Sequence, residues 1–514
     1  MAVMLLFTAS CGESNDGTEN NTELNIIDDN YRNWYEIFVH SYYDTNNDGI
    51  GDLKGVTEKL DYIKDLGFNG IWLMPISPSP TYHKYDVTDY YAIDPQYGTL
   101  DDLDELVSEA HNRGIKVILD LVLNHSSNQH PWFKEACQYI KENGSVGGSY
   151  GDYYNFVPQN LADYTKVDGT PYYYEARFWS GMPDLNLDSE ALRAEIVNIM
   201  KFWLDEHGVD GFRLDAVTSY YTGDVAKNVE FLSWVNQQAK AIKSDCFIVG
   251  EAWVGSDVLI NEYYKSGVDS FFLFTGSQGT GTLATIVKQQ SGAQLGKLFM
   301  SLQETYTDGI LAPFLGNHDT MRPGSFMPGE ENVKMAGGVL AMMNGGTFVY
   351  YGEEIGMISK NGSNSDPAKR IAMKWSDENV YKGWCYMPPE GITVDETCYY
   401  FPSVEAQTED ENSILNYYKQ AMTLRNRFPA IARGTVEYLP EGQNNYICVV
   451  KKSYQDESIV IVINLDSFDQ TVTLDKDALQ VKKVVGELCV DVNTHVSLNG
   501  SELKLPPQSI AILK

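Results

Sequence analysis

From Trp34 to Glu354 the chain alternates short apolar runs, rich in β-branched and aromatic residues, with longer amphipathic stretches. That alternation predicts βα units around a parallel sheet buried on both faces. Eight candidate strands can be written out in order: "YEIFVHS", "NGIWLMPI", "IKVILDLVLNH", "GFRLDAV", "FIVGEAW", "DSFFLFTG", "LAPFLGNHD" and "GGTFVYYGEE". Eight units between residues 34 and 354 fit a (β/α)8 TIM barrel with insertions better than an open doubly wound sheet. No GxGxxG or P-loop follows the first strand, which counts against nucleotide binding.

The pattern breaks twice. Residues 125 to 213 separate the third and fourth strand motifs by too much chain for a simple crossover, so a small domain is expected there. Beyond the helix "SILNYYKQAMTLRNRFPAI", alternating runs such as "YICVVKK" and "SIVIVINL" predict an antiparallel β-sandwich. The expected organisation is an N-terminal stretch at 1–30, a barrel in two parts at 31–123 and 186–432, an inserted domain at 124–185 and a C-terminal sandwich at 433–514.

Four of the strand runs end in acids: Asp120, Asp215, Glu251 and Asp319. One such acid reads as a helix N-cap. Four at equivalent positions, with His125, Arg213 and His318 beside them, point to the C-terminal face where barrels build their active sites. Clustered carboxylates around a neutral ligand suit glycosidic bond cleavage, in which one acid keeps a proton to give and another stays ionised. Arg213, two residues before Asp215, shares its strand face, and its permanent charge suits an ionised neighbour. Glu251, between an apolar strand and Trp253, is the better proton carrier.

Charge narrows the partner. The 38 Lys and Arg residues against 71 Asp and Glu leave a net charge of −33, which repels nucleic acid and anionic membranes and favours a neutral substrate. The opening "MAVMLLFTASC" is an apolar run ending in small residues and Cys11, and resembles a bacterial lipoprotein signal. It lacks the usual preceding Lys or Arg and carries Thr8 where Leu is common. A lipid on Cys11, followed by a polar tether, implies a location in the cell envelope, at the outer membrane or surface of a Gram-negative bacterium; the alternative is a periplasmic or secreted protein. Of the other six cysteines none forms a CxxC pair, and Cys385 with Cys398 could make a local disulfide.

"SYYDTNNDGIGDLKG", residues 41–55, has the oxygen spacing of an EF-hand loop at Asp44, Asn46, Asp48, the Ile50 carbonyl and Asp52, with Gly49 at the pivot. Position twelve is Gly55 rather than a bidentate Glu, which argues against a calcium sensor. A loop able to hold a hard cation remains the reading, against a hydrated Asx-rich turn.

Taken in order, "DLVLNH", "GFRLDAV", "GEAW" and "LGNHD", with "MPDLN", "GIWLMPI" and "YYGEEIGM" in auxiliary places, resemble the α-amylase family, glycoside hydrolase family 13, from about Asn33 to Lys514. The resemblance implies a retaining double displacement with Asp215 as nucleophile, Glu251 as acid and base and Asp319 as transition-state stabiliser. It also implies sugar contacts from His125, Arg213, His318 and Tyr85, with Asp86, Tyr82, His83 and Arg322 as further substrate neighbours and Asp120 as a support. It makes residues 44–52 a structural calcium loop. Ala216 after the nucleophile favours α-1,4 linkages, and Tyr82 in place of an acid favours an open cleft and internal cleavage of α-glucans or maltooligosaccharides. The alternatives are neopullulanase or oligo-1,6-glucosidase activity, 4-α-glucanotransferase activity, or a non-catalytic sugar-binding relative. Thr218 and Ser219 stand where many α-amylases have Lys and His, which argues against a second calcium site.

Overall fold

A computed structural model describes residues 29–363, 365–390, 392, 399–440 and 444–514. All eight expected strands form: β1 (Trp34–Ile37), β2 (Gly70–Leu73), β3 (Lys116–Leu121), β4 (Gly211–Leu214), β5 (Phe247–Gly250), β6 (Ser270–Phe272), β7 (Ile310–Ala312) and β8 (Phe348–Tyr350). They pair in parallel in chain order, with β8 returning beside β1. Backbone bonds from Gly346 N to Leu311 O (2.8 Å) and from Phe348 N to Pro313 O (3.0 Å) close the ring between β7 and β8.

The two faces of each strand explain why the runs read as continuously apolar. Trp34, Trp72, Ile118, Phe247, Phe272, Ala312 and Phe348 point inward and fill the barrel as one cluster. The alternate residues, including Tyr35, Ile37, Ile71 and Leu73, pack outward against the helices. Trp34 stacks on Phe247 with centroids 5.0 Å apart. Above this aromatic plug the inward positions turn polar, at Glu36 on β1, Asp120 on β3 and Arg213 on β4. Asp120 and Arg213 are register partners across the β3–β4 pair.

Gly211 opens β4 with φ 151°, and a Cβ there would lie 1.8 Å from the Phe247 carbonyl oxygen. Only glycine permits that approach, so one residue fixes the register of the two strands that lead into Asp215 and Glu251.

Between β3 and β4 a small antiparallel sheet, Phe156–Val157, Tyr164–Lys166 and Tyr173–Glu175, stands over the C-terminal end of the barrel. A bridge from His125 to Asp184 ties its base to the site. After the last barrel helix, five-stranded and three-stranded antiparallel sheets share a core that includes Val449, Val462, Val472, Leu503 and Leu505, as expected for a sandwich. It is docked to the barrel by buried Lys452, whose Nζ donates to Met342 O (2.8 Å), Asn344 Oδ1 (2.7 Å) and Ile431 O (2.8 Å).

At the opposite end, around the N-termini of the strands, Asp29, Asn30, Arg32, His111, Lys116 and Asp210 line a cavity of about 420 Å³. Asp29 also pairs with Arg433, outside this cavity. Among the described residues no helix is long and apolar enough to cross a membrane. Cys11 and the expected signal, like Cys398 of the expected disulfide, lie outside the described residues; Cys385 is buried.

Candidate active site

Arg213 is the hub. Carried inward by β4 and wholly buried, its Nη1 donates to Asp120 Oδ1 (2.8 Å), to Asp215 Oδ1 (2.7 Å) and to the Tyr85 hydroxyl (3.2 Å). Its Nη2 lies 3.0 Å from Glu251 Oε2. One guanidinium therefore holds the carboxylates that end β4 and β5. The second restraint on Glu251 is the backbone N–H of Ala216, 2.8 Å from Oε2, offered because Ala216 takes a left-handed turn at φ 47° straight after Asp215.

Burial pushes Glu251 up to about 8, the Arg213 guanidinium opposing and the charges of Asp215 and Asp319 adding to the rise. Burial likewise lifts Asp120 to about 7 against the pull of Arg213. Burial acts against ionisation at Asp319 as well. There it is outweighed by His318 and by Arg370, and the carboxyl is held well below the usual range. Asp319 Oδ2 lies 2.9 Å from His318 Nε2 and Oδ1 lies 2.8 Å from Arg370 Nη2. The Tyr85 ring stacks on His318 with centroids 5.6 Å apart, and its hydroxyl donates to Asp120 Oδ2 at 3.0 Å.

These groups form the floor of a cleft of about 490 Å³. His83, Tyr85, His125, Asp215, Glu251 and Asp319 all line it. The Nε2 of His125 is buried and without a partner among the described residues, as suits a group reserved for a ligand hydroxyl. Burial keeps the His125 imidazole neutral by lowering it, and lowers His83 to about 4. The rim is aromatic: Phe178 and Trp179 reach in from the inserted segment, and Trp253 lies flat on Phe274 with centroids 4.7 Å apart. Phe178, Trp179 and Trp253 are each about half exposed, at 50%, 51% and 47%.

Three of the expected substrate neighbours stand back from the cleft. Asp86 is buried behind it, accepting from Ser79 Oγ at 2.7 Å and from Thr81. Tyr82 packs edge-on against Phe38 and lies 5.8 Å from the Arg370 guanidinium. Arg322 corrects the expectation outright: it is fully buried, donating through Nε to Lys369 O (2.8 Å) and through Nη1 to Tyr351 O (2.5 Å), its guanidinium 4.2 Å from the Tyr350 ring centre. It braces the end of β8. Sequence reasoning missed Arg370 and Asp366, which line the cleft from a segment with no strand signature. It also missed Glu36, although a lone carboxylate inside the apolar run "YEIFVHS" was a readable signal.

The loop at residues 44–52 follows β1 as a βα loop, not between paired EF-hand helices. Asp44 accepts from the N–H groups of Asn46 (3.0 Å), Asn47 (2.7 Å) and Gly49 (2.7 Å). Asn46 accepts from Asp48 N, Asp48 from Ile50 N, and Asp52 from Gly55 N, capping the next helix. The segment Gly383–Met387 lies across it, through Asp44 N to Gly383 O (3.1 Å) and Met387 N to Gly49 O (2.9 Å). The donor set is all oxygen and suits a hard cation. Among the described residues no three Asp, Glu, His or Cys side chains form a ready metal cluster, so the loop's fit to a cation rests on its mixed carboxylate, amide and carbonyl oxygens.

A closed parallel barrel whose mouth gathers buried carboxylates around an arginine is the framework of a barrel glycosidase. Residues 36–434 match the alpha amylase catalytic domain, and the chain belongs to that family. It is 38% identical over 478 residues to Alpha-amylase 3 of Dictyoglomus thermophilum, covering 89% of this chain and 90% of that protein. The solved structure of Eubacterium rectale Amy13B superposes with a TM-score of 0.90 at 43% identity, covering 96% of this chain and 97% of the other. An oligo-1,6-glucosidase of Parageobacillus thermoglucosidasius is 30% identical over 509 residues, 84% of this chain and 89% of that protein. The protein is a glycosidase of this family.

Proposed function

We propose that this glycosidase is a retaining, endo-acting α-amylase that hydrolyses α-1,4 linkages in starch-type glucans and maltooligosaccharides. The observation that carries the reading is the pair of carboxylates, Asp215 and Glu251, held on the two terminal nitrogens of Arg213 beneath an open aromatic-rimmed cleft. In the first step an Asp215 oxygen bonds to the anomeric carbon as the glycosidic C–O bond breaks, and Glu251 gives its proton to the departing oxygen. In the second, Glu251 takes a proton from water, whose oxygen bonds to the anomeric carbon and releases Asp215. A Glu251 that titrates near 8 is protonated at neutral pH, as the first step needs. Asp319, kept ionised by His318 and Arg370, faces the positive charge that develops on the sugar.

The test is product analysis on maltoheptaose and on end-blocked maltooligosaccharides. Internal cleavage of the blocked chains, with the α-anomer formed first, is the expected result. Products longer than the substrate would instead favour glucanotransferase activity. Cleavage of isomaltose with none of α-1,4 chains would favour the oligo-1,6-glucosidase reading, which the 30% identical relative of that name supports, and cleavage of pullulan in preference to maltooligosaccharides would favour the neopullulanase reading.

Two attachments complete the proposal. A structural calcium held by Asp44, Asn46, Asp48, the Ile50 carbonyl and Asp52 is supported by the oxygen donor set; a chelator should then lower the melting temperature, and an unchanged melt removes the ion. A lipid on Cys11 is supported by the apolar run before it; Cys11→Ala should move the protein from the membrane to the soluble fraction, and no shift removes the anchor.

A further inference from the structure

On β1, the inward Glu36 sits one layer below the mouth, 1% exposed. Its Oε1 lies 2.5 Å from Nδ1 of His318, whose ring is itself fully buried. The other ring nitrogen, Nε2, faces Asp319 Oδ2 at 2.9 Å and the Tyr85 hydroxyl at 2.7 Å. An ionised carboxylate only accepts hydrogen bonds. A neutral imidazole has one N–H, so it would leave one bare nitrogen aimed at one of the two carboxylates. Both contacts are satisfied together only when both ring nitrogens carry hydrogen.

We propose that Glu36 is a positioning residue that keeps His318 as a doubly protonated cation, and through it fixes and ionises the Asp319 carboxylate at the sugar site. The remaining surroundings agree with a cation. Trp72 meets the ring edge-to-face at 5.5 Å and Tyr85 stacks on it. Asp120 on β3 is a further carboxyl electrostatically linked to the ring, and the nearby cations Arg213 and Arg370 act on Asp120 and Asp319. The balance lifts His318 to about 9, burial opposing and Asp319 and Glu36 prevailing. Glu36 does not line the cleft; its side chain reaches the site through its contact with His318.

The kinetic side of this inference rests on the glucan hydrolase reading, whereas the charge on His318 can be read without any substrate. The experiment titrates the His318 ring by NMR in the full chain, assigned by the signal lost in His318→Asn, for wild type, Glu36→Gln and Glu36→Asp. The ring is expected to stay cationic through pH 8 in wild type and to titrate at least about one unit lower in Glu36→Gln. On an aryl maltooligoside, kcat of Glu36→Gln should fall about tenfold or more with KM little changed and its alkaline limb moved to lower pH, and Glu36→Asp should recover part of it. A wild-type ring that is neutral at pH 7 overturns the proposal, and this holds even if the variants fail to fold. So does a folded Glu36→Gln with the wild-type ring titration and pH profile. A cationic ring in an enzyme inactive on every α-glucan would sink the hydrolase reading and leave this one standing.

Discussion

Arg213 does two things that a lysine could not do together: it presents separate nitrogens to Asp215 and Glu251, and it does so with a charge that burial cannot remove. The two carboxylates then differ by environment rather than by kind. Glu251 is the one that keeps its proton, so activity should be present below about pH 8 and be lost as pH rises through that value, because the protonated form is the competent one. A kcat/KM profile from pH 5 to 10 checks this, and an alkaline limit set near the ordinary carboxylate range would contradict it. Asp215→Asn and Glu251→Gln should each cost several kcal/mol of transition-state stabilisation, about a thousandfold or more in rate. Near-normal turnover in either variant would overturn the assigned roles. These residues were legible because strand-end acids advertise themselves against apolar runs. Arg370 was not, since its contact with Asp319 is made across 51 residues by a segment without periodicity. Arg322 misled for a related reason: a charged side chain three residues past Asp319 reads as a ligand contact until the chain turns it inward against Tyr350 and Tyr351.

At the level of elements, the apolar runs gave all eight strands in order, because barrel strands are buried on both faces and carry little else. What no run could give is register. Gly211 supplies it between β4 and β5, and a side chain there meets the Phe247 carbonyl before any helix can adjust. Gly211→Ala should therefore lose about 2 kcal/mol or more of stability, and activity with it, since Arg213 lies two residues on. Denaturant unfolding together with turnover checks the prediction; a wild-type midpoint would show that the pair tolerates separation. The loop at 44–52 was legible as an oxygen-rich turn after β1. Its partner was not: the strip Gly383–Met387 that covers it arrives from beyond β8, and nothing in either stretch announces the other.

Across the whole molecule, three bodies of different construction meet. The sandwich is joined to the barrel through buried Lys452, which satisfies three acceptors, two of them backbone carbonyls of the barrel side. Lys452→Met keeps the apolar stem and strands those acceptors, at a cost of about 1–3 kcal/mol for each group left unpaired. Thermal unfolding should shift down accordingly, with the cleft and KM for maltooligosaccharides unchanged; an unshifted melt would show that the joint is held elsewhere.

The cavity bordered by Asp29 and Asn30 lies at one pole of the barrel and the aromatic-rimmed cleft at the other. Asp29, the first described residue, therefore sits on the side away from the mouth. A surface met at that pole would leave the mouth facing outward, open to a polymer too large to pass beneath the molecule.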